Sequence, residues 1–348
     1  MLKNLQNTYI LGIESSCDET AAAIVANGRD VISNIIFSSA DLHKIYGGVV
    51  PEIASRKHAE VMPYVLDQAL KEAAVTRDQI AAVAVTKGPG LVGSLLVGVS
   101  AAKALALIWQ KPLYGIHHLT GHIAANYLTY PELEPPFLSL IVSGAHSHIV
   151  LVKSYSEFEI IARTRDDAPG EVFDKIAREL NLGYPGGPLI DSLAKQGTDN
   201  IYNLPQPKFE DSLDFSFSGV KTATLNKLNQ IKQKADLLDQ PWEELVNKAD
   251  FVATFQSAII KNLLDRTMEA IKLTRQNKLV LAGGVAANSE LRSQFQTAAE
   301  QLSLELYLPE LQYCTDNAAM IAAQGYYAYR EQQPETLTLN AYAMLDME

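Results

Sequence analysis

Seven histidines occur in this 348-residue chain, and five of them fall between His117 and His148. His118 and His122 stand four apart in His-Leu-Thr-Gly-His. On a helix that spacing sets both imidazoles on one face, close enough to share a metal ion. The residue after His118 is Leu119, so the general-base Glu of the His-Glu-x-x-His peptidase pattern is missing. Two imidazoles leave a coordination shell incomplete, and a carboxylate from elsewhere in the chain is expected. Asp316, in Cys314-Thr-Asp-Asn-Ala-Ala-Met320, precedes an apolar helical run. It is open to two readings, the N-cap that Asp suits or the missing third ligand. The pair itself stays open to the plainer reading of two histidines at a helix start. Gly121 between them weakens a helix by roughly 1 kcal/mol relative to Ala.

Glycine-rich turns are the second feature. Leu279 to Asn288 reads strand, Gly283-Gly284, helix, and backbone N–H groups at such a turn can cradle a phosphate. Ser143-Gly144 and Tyr184-Pro-Gly-Gly-Pro188 could do the same, although each alone fits simple turn geometry. Acids cluster nearby in sequence: Asp166, Asp167, Glu171 and Asp174 precede or open a helix, and Asp191 follows Gly-Gly-Pro. Helix-dipole stabilisation accounts for most of them; an acid beside a ligand could instead bind hydroxyl or amino groups.

These residues need a scaffold. Tyr9 to Ala26 and Phe137 to Lys153 each read apolar, polar turn, apolar, the pattern of a β-hairpin. After the first come a strand at Val31–Ile36, a helix over Pro51–Ala73, a strand at Ala81–Thr86 and a helix from Leu91. After the second come a strand at Glu159–Ala162 and a helix over Glu171–Leu180. A long helix over Trp242–Ile271, a strand at Lys278–Leu281 and a helix from Ala286 follow. Strands alternating with helices in both halves predict α/β domains with largely parallel sheets. The Pro-rich stretch Pro131–Pro136 reads as the boundary. Two similar halves suggest a duplicated fold facing a shared cleft. Phe251, Phe255, Ile259 and Leu263 form a core stripe. Thr198–Leu213 reads as a loop, and the residues after Arg330 read as peripheral.

Composition narrows the classes. The chain is 47% hydrophobic and 20% charged, as expected for a globular protein with a large core. Its net charge of −11 argues against a general nucleic-acid binder, so a nucleic-acid substrate would need a local basic patch or a basic partner. Arg56, Lys57 and Lys87 are candidate RNA contacts, with solvated surface charge as the other reading. Cys17 and Cys314 are the only cysteines and form no disulfide framework, which suits a reducing, cytoplasmic setting. Met1–Tyr9 shows no apolar signal segment. Leu91–Trp109 is apolar enough to span a bilayer but is interrupted by Ser94, Ser100 and Lys103, and reads as a buried helix, with no membrane involved.

Together the segments strongly resemble the tRNA N6-adenosine threonylcarbamoyltransferase family, once described as a glycoprotease family. The matching stretches are Gly12-Ile-Glu-Ser-Ser-Cys-Asp-Glu-Thr20, Tyr46–Glu52 running on to Ala54-Ser-Arg56, Gly88-Pro-Gly-Leu-Val-Gly93, His117-His118 with His122, Phe173-Asp-Lys175, Tyr184–Pro188, Asp214–Gly219 with Lys221-Thr222, Ala282–Val285 with Asn288, and Cys314–Asn317. They cover almost the whole chain.

The resemblance implies an actin-like, sugar-kinase-like fold of two duplicated α/β domains around a cleft. Their bounds are 1–130 and 137–315, with the helix near 316–330 packed back on the first. It implies one divalent metal, iron(II) by family habit with zinc possible, held by His118, His122 and Asp316. It implies substrate contacts from Ile141, Val142, Ser143, Gly144 and Ala145, and from Asp174, Gly187, Asp191 and Asn288. Proteins of this family transfer a threonylcarbamoyl group from threonylcarbamoyl-AMP to N6 of the adenosine next to the anticodon, in tRNAs reading codons that begin with A. Bacterial members work with a shorter actin-like paralogue and a small P-loop ATPase. Competing readings are a non-catalytic nucleotide-binding scaffold, a metalloendopeptidase and a sugar kinase. One departure stands out: the family usually shows Ser-Gly-Gly-His-Thr where this chain has Ser143-Gly-Ala-His-Ser147. Should Ala145 sit at positive φ, its methyl group costs roughly 1 kcal/mol.

Overall fold

The computed structural model describes residues 7–347. Most of the Met1–Tyr9 expectation therefore lies outside the described residues. In chain order the elements are β1 (Tyr9–Glu14), β2 (Glu19–Ala26), β3 (Asp30–Ser38), α1 (Pro51–Ala73), β4 (Ile80–Gly88), α2 (Val92–Trp109), β5 (Leu113–His117) and α3 (His118–Thr129). Then follow β6 (Phe137–Val142), β7 (Ser147–Val152), β8 (Phe158–Arg163), α4 (Pro169–Glu179), α5 (Gly186–Ala194), α6 (Ser218–Leu238) and α7 (Lys248–Thr274). The last are β9 (Lys278–Ala282), α8 (Ser289–Leu302), β10 (Glu305–Tyr307) and α9 (Ala318–Glu331).

The chain forms two compact units. The first comprises Met1–Pro136, Val152–Glu159 and Pro309–Glu348; the second comprises Phe137–Leu151 and Ile160–Leu308. Each carries one five-stranded sheet with the same connectivity, β3-β2-β1-β4-β5 in the first and β8-β7-β6-β9-β10 in the second. In the first sheet β1 pairs antiparallel with β2 and β2 with β3, whereas β1–β4 and β4–β5 are parallel. The sheet is thus mixed rather than largely parallel, because each unit opens with a hairpin before its crossover helices begin.

Both faces of the first sheet are covered, which is why its strands read as near-continuous apolar runs. Leu11, Ile13, Ala22, Ile24, Val83 and Val85 pack with Met62, Val65 and Ala69 of α1 and Val99 and Ala102 of α2. On the opposite face Ile10, Ala21, Ala23, Ala82 and Ala84 pack with Ala125 of α3 and Ala318–Ala322 of α9. That alanine-rich face lets α9 lie close to the strands. A Cβ on Gly12 would stand 2.3 Å from the Ala318 carbonyl oxygen and 2.7 Å from Ala322 N. Among the described residues α2 is the one helix long and apolar enough to cross a membrane. Its Ser94, Leu95, Gly98, Val99, Ala102 and Ala106 are buried in this unit.

The residues after Arg330 are mostly exposed, as expected, yet they are tied to the first sheet. Glu335 N donates to Leu113 O (2.8 Å), Tyr342 N donates to Lys87 O (2.8 Å), and Leu339 is buried in the core, so this segment straps the β4–β5 end of the first sheet. Val152–Glu159, placed by sequence in the second half, also belongs to the first unit. Its Tyr155 ring stacks on Tyr327 at 3.8 Å, and Arg29 donates to the Tyr155 hydroxyl.

In the second unit the Phe251, Phe255, Ile259 and Leu263 stripe of α7 is buried, as its spacing requires. The helix starts at Lys248, not Trp242, because Asn247 caps it by accepting from Ala249 N and Asp250 N. The start of α6 is held from outside. Asp166 accepts from Phe217 N (2.8 Å), Ser218 N (3.2 Å), Ser216 Oγ (2.6 Å) and Ser218 Oγ (2.8 Å). Partial burial pushes the Asp166 carboxyl up, but these four donors outweigh it and hold it below the usual range. Replacing Asp166 by Ala should cost about 1–2 kcal/mol, the value of a good cap. A depressed carboxylate stabilises the fold above its unfolded pKa and loses that contribution as pH falls through its folded value. Thermal melts of wild type and Asp166→Ala should therefore differ at pH 7 and converge in strong acid; equal melts at pH 7 would refute the anchoring role.

Candidate metal centre and nucleotide-binding turns

The front-half histidines and the distal aspartate meet in the first unit. His117 ends β5 and caps α3, its Nδ1 accepting from Leu119 N at 3.1 Å. His118 therefore occupies the first helical position and His122 lies one turn on. Both are buried, with rings edge to face and centroids 4.7 Å apart. Gly121 packs against α9, where a Cβ would stand 2.7 Å from Ile321 Cδ1 and the end of that side chain would have to turn aside. Asp316 does not cap α9: Asn317 does, its Oδ1 accepting from Met320 N at 3.0 Å. Asp316 is thereby left to face the histidines. Its Oδ1 lies 3.2 Å from His122 Nε2 and 3.5 Å from His118 Nε2.

Ligand atoms of His118, His122 and Asp316 all lie within 4.8 Å of one another. Separations of 3.2–3.5 Å are those of neighbouring ligands about an ion bound at roughly 2.1 Å. His122 Nδ1 is buried without a hydrogen-bond partner among the described residues, and Nε2 meets only the Asp316 carboxylate. Such an orphan is costly unless something else satisfies it. Two nitrogens and one carboxylate form a donor set that iron(II) and zinc both accept. The residues present therefore fit a divalent ion.

Sequence reasoning missed Glu14, at the end of β1. It is fully buried and accepts from Ser16 N (2.6 Å), Thr86 Oγ1 (2.6 Å) and His118 Nδ1 (3.2 Å). A charged residue closing an otherwise apolar strand (Ile10-Leu-Gly-Ile-Glu14) was the available signal. Burial pushes the Glu14 carboxyl up, but the His118 imidazole beside it prevails and leaves it lowered. Burial also opposes the charged form of Asp316, yet the two imidazoles, His118 foremost, hold that carboxyl far below its usual range. His118 shows the converse. Burial lowers its pKa, while Asp316 and Glu14 raise it well above the ordinary imidazole value. Burial pushes the Cys17 thiol and the Glu19 carboxyl well up, with Asp18 and Asp316 adding to both. The site thus concentrates negative potential that a cation would relieve.

The glycine turns and acids lie in the second unit. The Ser143–His146 turn is held on the start of α4: Gly170 N donates to Ser143 O (3.2 Å) and Glu171 N to Gly144 O (3.0 Å). Gly283, at φ 88° and ψ 166°, has room for no Cβ, which would stand 2.4 Å from Val142 O. A Cβ at Gly144, Gly187 or Gly284 would meet nothing within 4 Å, so open space lies over all three turns. Asp174 accepts from Gly186 N at 2.7 Å. Asp191 accepts from Ser289 N (3.3 Å) and Ser289 Oγ (2.9 Å). Asn288 caps α8 through Leu291 N (2.9 Å) and donates to Gln256 Oε1 (2.8 Å).

Comparison with known proteins decides the family. Residues 30–323 match the family model described as TsaD, tRNA N6-adenosine threonylcarbamoyltransferase. Curated proteins of that name from Clostridium kluyveri, Clostridium perfringens and Clostridium beijerinckii are 50%, 51% and 53% identical, each aligned over 97% of both chains. The chain belongs to the tRNA N6-adenosine threonylcarbamoyltransferase family.

Two solved structures show the fold alone. Component A of (R)-2-hydroxyglutaryl-CoA dehydratase from Acidaminococcus fermentans aligns with TM-score 0.56 at 14% identity, over 93% of this chain and 100% of that one. T. kodakarensis HypF aligns with TM-score 0.60 at 13% identity, over 93% of this chain and 48% of that one. The fold is the actin-like, sugar-kinase-like one expected.

The structure gives the expected transferase residues the following surroundings. Ile141 and Val142 are buried in the central strand β6, where Ile141 pairs with Ala282 of β9. Ala145 is exposed and is not among the positive-φ residues, so its methyl group carries no backbone strain. Asp174, Asp191 and Asn288 first of all hold the turns around Gly186 and Ser289. Arg56, Lys57 and Lys87 are each paired within the chain, to Glu52, Glu60 and Glu335. Gly283→Ala should cost roughly 2–3 kcal/mol, because that backbone region is open almost only to Gly and the neighbouring carbonyl blocks the methyl. Denaturant unfolding checks this; a midpoint equal to wild type would show that the turn adapts.

Proposed function

We propose that this chain transfers the threonylcarbamoyl group of threonylcarbamoyl-AMP to N6 of the adenosine next to the anticodon, in tRNAs reading codons that begin with A. The observation that carries this is the convergence of His118, His122 and Asp316, in a chain that shares half its residues with that family along nearly its whole length.

The donor is a mixed anhydride, so AMP is a good leaving group and positioning matters more than a strong base. N6 bonds to the carbamoyl carbon, the bond from that carbon to the phosphate oxygen breaks, AMP leaves with the electron pair, and N6 loses a proton. His118, His122 and Asp316 hold one divalent ion, iron(II) as the family reading implies, with zinc suited to the same donors. Bound there, it supplies a Lewis acid for the donor's phosphate or carbonyl oxygen. Backbone N–H groups of the Ser143–Ala145 and Gly283-Gly284 turns fix the nucleotide, and Gly187 leaves room beside them. Asp174 and Asp191 bind ligand hydroxyl or amino groups through their carboxylates, which accept at about four sites each. Asn288 holds the start of α8 against them. The target adenine is read unstacked in its loop.

The shorter actin-like paralogue and the small P-loop ATPase are the proposed partners. Val92, Leu96 and Leu107 are exposed along one side of α2, with Tyr64 exposed on α1, and such an apolar face supports a docking surface. Two free cysteines suit a cytoplasmic setting. The test is reconstitution of the chain and both partners with threonylcarbamoyl-AMP and unmodified tRNA, followed by nucleoside mass spectrometry. N6-threonylcarbamoyladenosine is expected. Its absence, under conditions where a Clostridium relative forms it, would overturn the reading.

A further inference from the structure

We propose that Glu14 is a positioning residue of the metal centre, which fixes His118 in the one tautomer that presents Nε2 as a ligand. The inference rests on the reading that His118, His122 and Asp316 hold a divalent ion.

A neutral imidazole carries its proton on one nitrogen and accepts, or ligates, through the other. Which nitrogen ligates is set by the hydrogen bond the other one makes. His118 Nε2 faces Asp316 at 3.5 Å, and Nδ1 faces the Glu14 carboxylate at 3.2 Å. A carboxylate only accepts, so Nδ1 carries a proton toward Glu14, and an ion that displaces the proton from Nε2 finds that lone pair directed toward Asp316 and His122. Ser16 Oγ also lies 3.2 Å from Nδ1. A hydroxyl accepts or donates and cannot by itself decide the tautomer, so the carboxylate decides it.

Glu14 is itself held rigidly. Oε1 accepts from Ser16 N at 2.6 Å and Oε2 from Thr86 Oγ1 at 2.6 Å, so β4 and the β1–β2 turn pin both ends of the carboxyl. All three neighbours donate to it. An amide at this position, with one accepting and one donating end, would set a donor against a donor either at Ser16 N or at the protonated His118 Nδ1, whereas the Thr86 hydroxyl could turn to accept. The site therefore requires a carboxylate and not merely a polar group of that shape. Charge agrees with this: Glu14 and Asp316 together balance a dication bound by two neutral imidazoles, in a site where Glu14 has no exposure.

The test uses the full chain and zinc(II) alone as probe, read by competition with a chromophoric chelator. Side-chain nitrogen NMR of the zinc-loaded protein reports which ring nitrogen of His118 carries the proton. Wild type is expected to bind one zinc with His118 Nδ1 protonated and Nε2 metal-bound. Glu14→Gln is expected to lose roughly 10–100-fold in zinc affinity, the usual cost of losing such an outer partner, and to show a mixed or reversed His118 pattern. Ser16→Ala should keep the wild-type pattern. Should Glu14→Gln fail to fold, Glu14→Asp keeps the charge and the Ser16 contact but withdraws the carboxylate by one methylene, and an affinity loss of at least about tenfold is expected. Zinc binding by the substituted chain at wild-type affinity, or a wild-type spectrum with Nδ1 on the metal, overturns the role of Glu14. A wild-type chain that binds no zinc overturns the metal reading beneath it, so the two failures are distinguishable.

Discussion

Alanine at His118, at His122 or at Asp316 should each abolish metal retention and lower threonylcarbamoyl transfer by roughly 10²–10³-fold, the range seen when a preorganised charge-stabilising group is removed. Transfer and metal content should fall together. The triple substitution should cost little more than the worst single one, because groups that act as one unit are strongly non-additive. The physical reason is the geometry: each residue supplies one of three donors that stand 3.2–4.8 Å apart, and two donors leave an open, weakly binding shell. His122 should also affect stability. Its Nε2 lies 3.2 Å from Asp316 Oδ1, so without metal His122→Leu leaves that carboxylate with one partner fewer and should melt lower than wild type. Elemental analysis, a transfer assay on unmodified tRNA and a melt of the chelated protein check the three statements. Full transfer by a metal-free variant would contradict the proposed role.

Gly12→Ala should disable the same site from a distance. The added methyl would meet the Ala318 carbonyl at 2.3 Å and Ala322 N at 2.7 Å, both backbone atoms of α9 that no side-chain rotation can move. The helix must shift away from β1, and Asp316 sits two residues before its first turn. Overpacking of this kind costs roughly 1–3 kcal/mol, partly offset by the gain of up to about 1 kcal/mol that alanine gives by restricting the unfolded chain. The distinctive result is coupling: Gly12→Ala should melt several degrees lower and also bind zinc at least about tenfold more weakly, although it touches no ligand. Gly283→Ala, in the second unit, should melt lower with zinc affinity unchanged. Equal zinc affinity in Gly12→Ala and wild type would show that the α9 packing does not position Asp316.

Much of this arrangement was legible in the sequence for identifiable reasons. The two hairpins showed because each strand is apolar on both faces, with a polar turn between. The His118/His122 pair showed because a helical i,i+4 spacing is unambiguous once a helix follows. Asp316 was ambiguous because Asn317, one residue on, suits an N-cap as well, and only the structure assigns the cap to Asn317 and frees the aspartate. Glu14 was passed over because its partners, Thr86 and His118, are distant in sequence and no periodicity links them. Helix α6 escaped notice because its buried positions, Val220, Thr224, Leu228 and Ala235, are few and only partly apolar, and because its start is anchored by the distant Asp166. Strand β5 is five residues long and follows Lys111-Pro112, too short for alternation to register. The ties of the C-terminal strap are not visible in the sequence because they are backbone hydrogen bonds and single buried side chains such as Leu339, within a mostly polar, exposed segment.

The most direct test of the central claim is an anomalous-diffraction map of the chain crystallised with one equivalent of zinc. The account predicts a single strong peak in the first unit, about 2.0–2.2 Å from one ring nitrogen each of His118 and His122 and from a carboxyl oxygen of Asp316. A fully occupied ion held by other residues, with these three side chains turned away from it, would contradict the account.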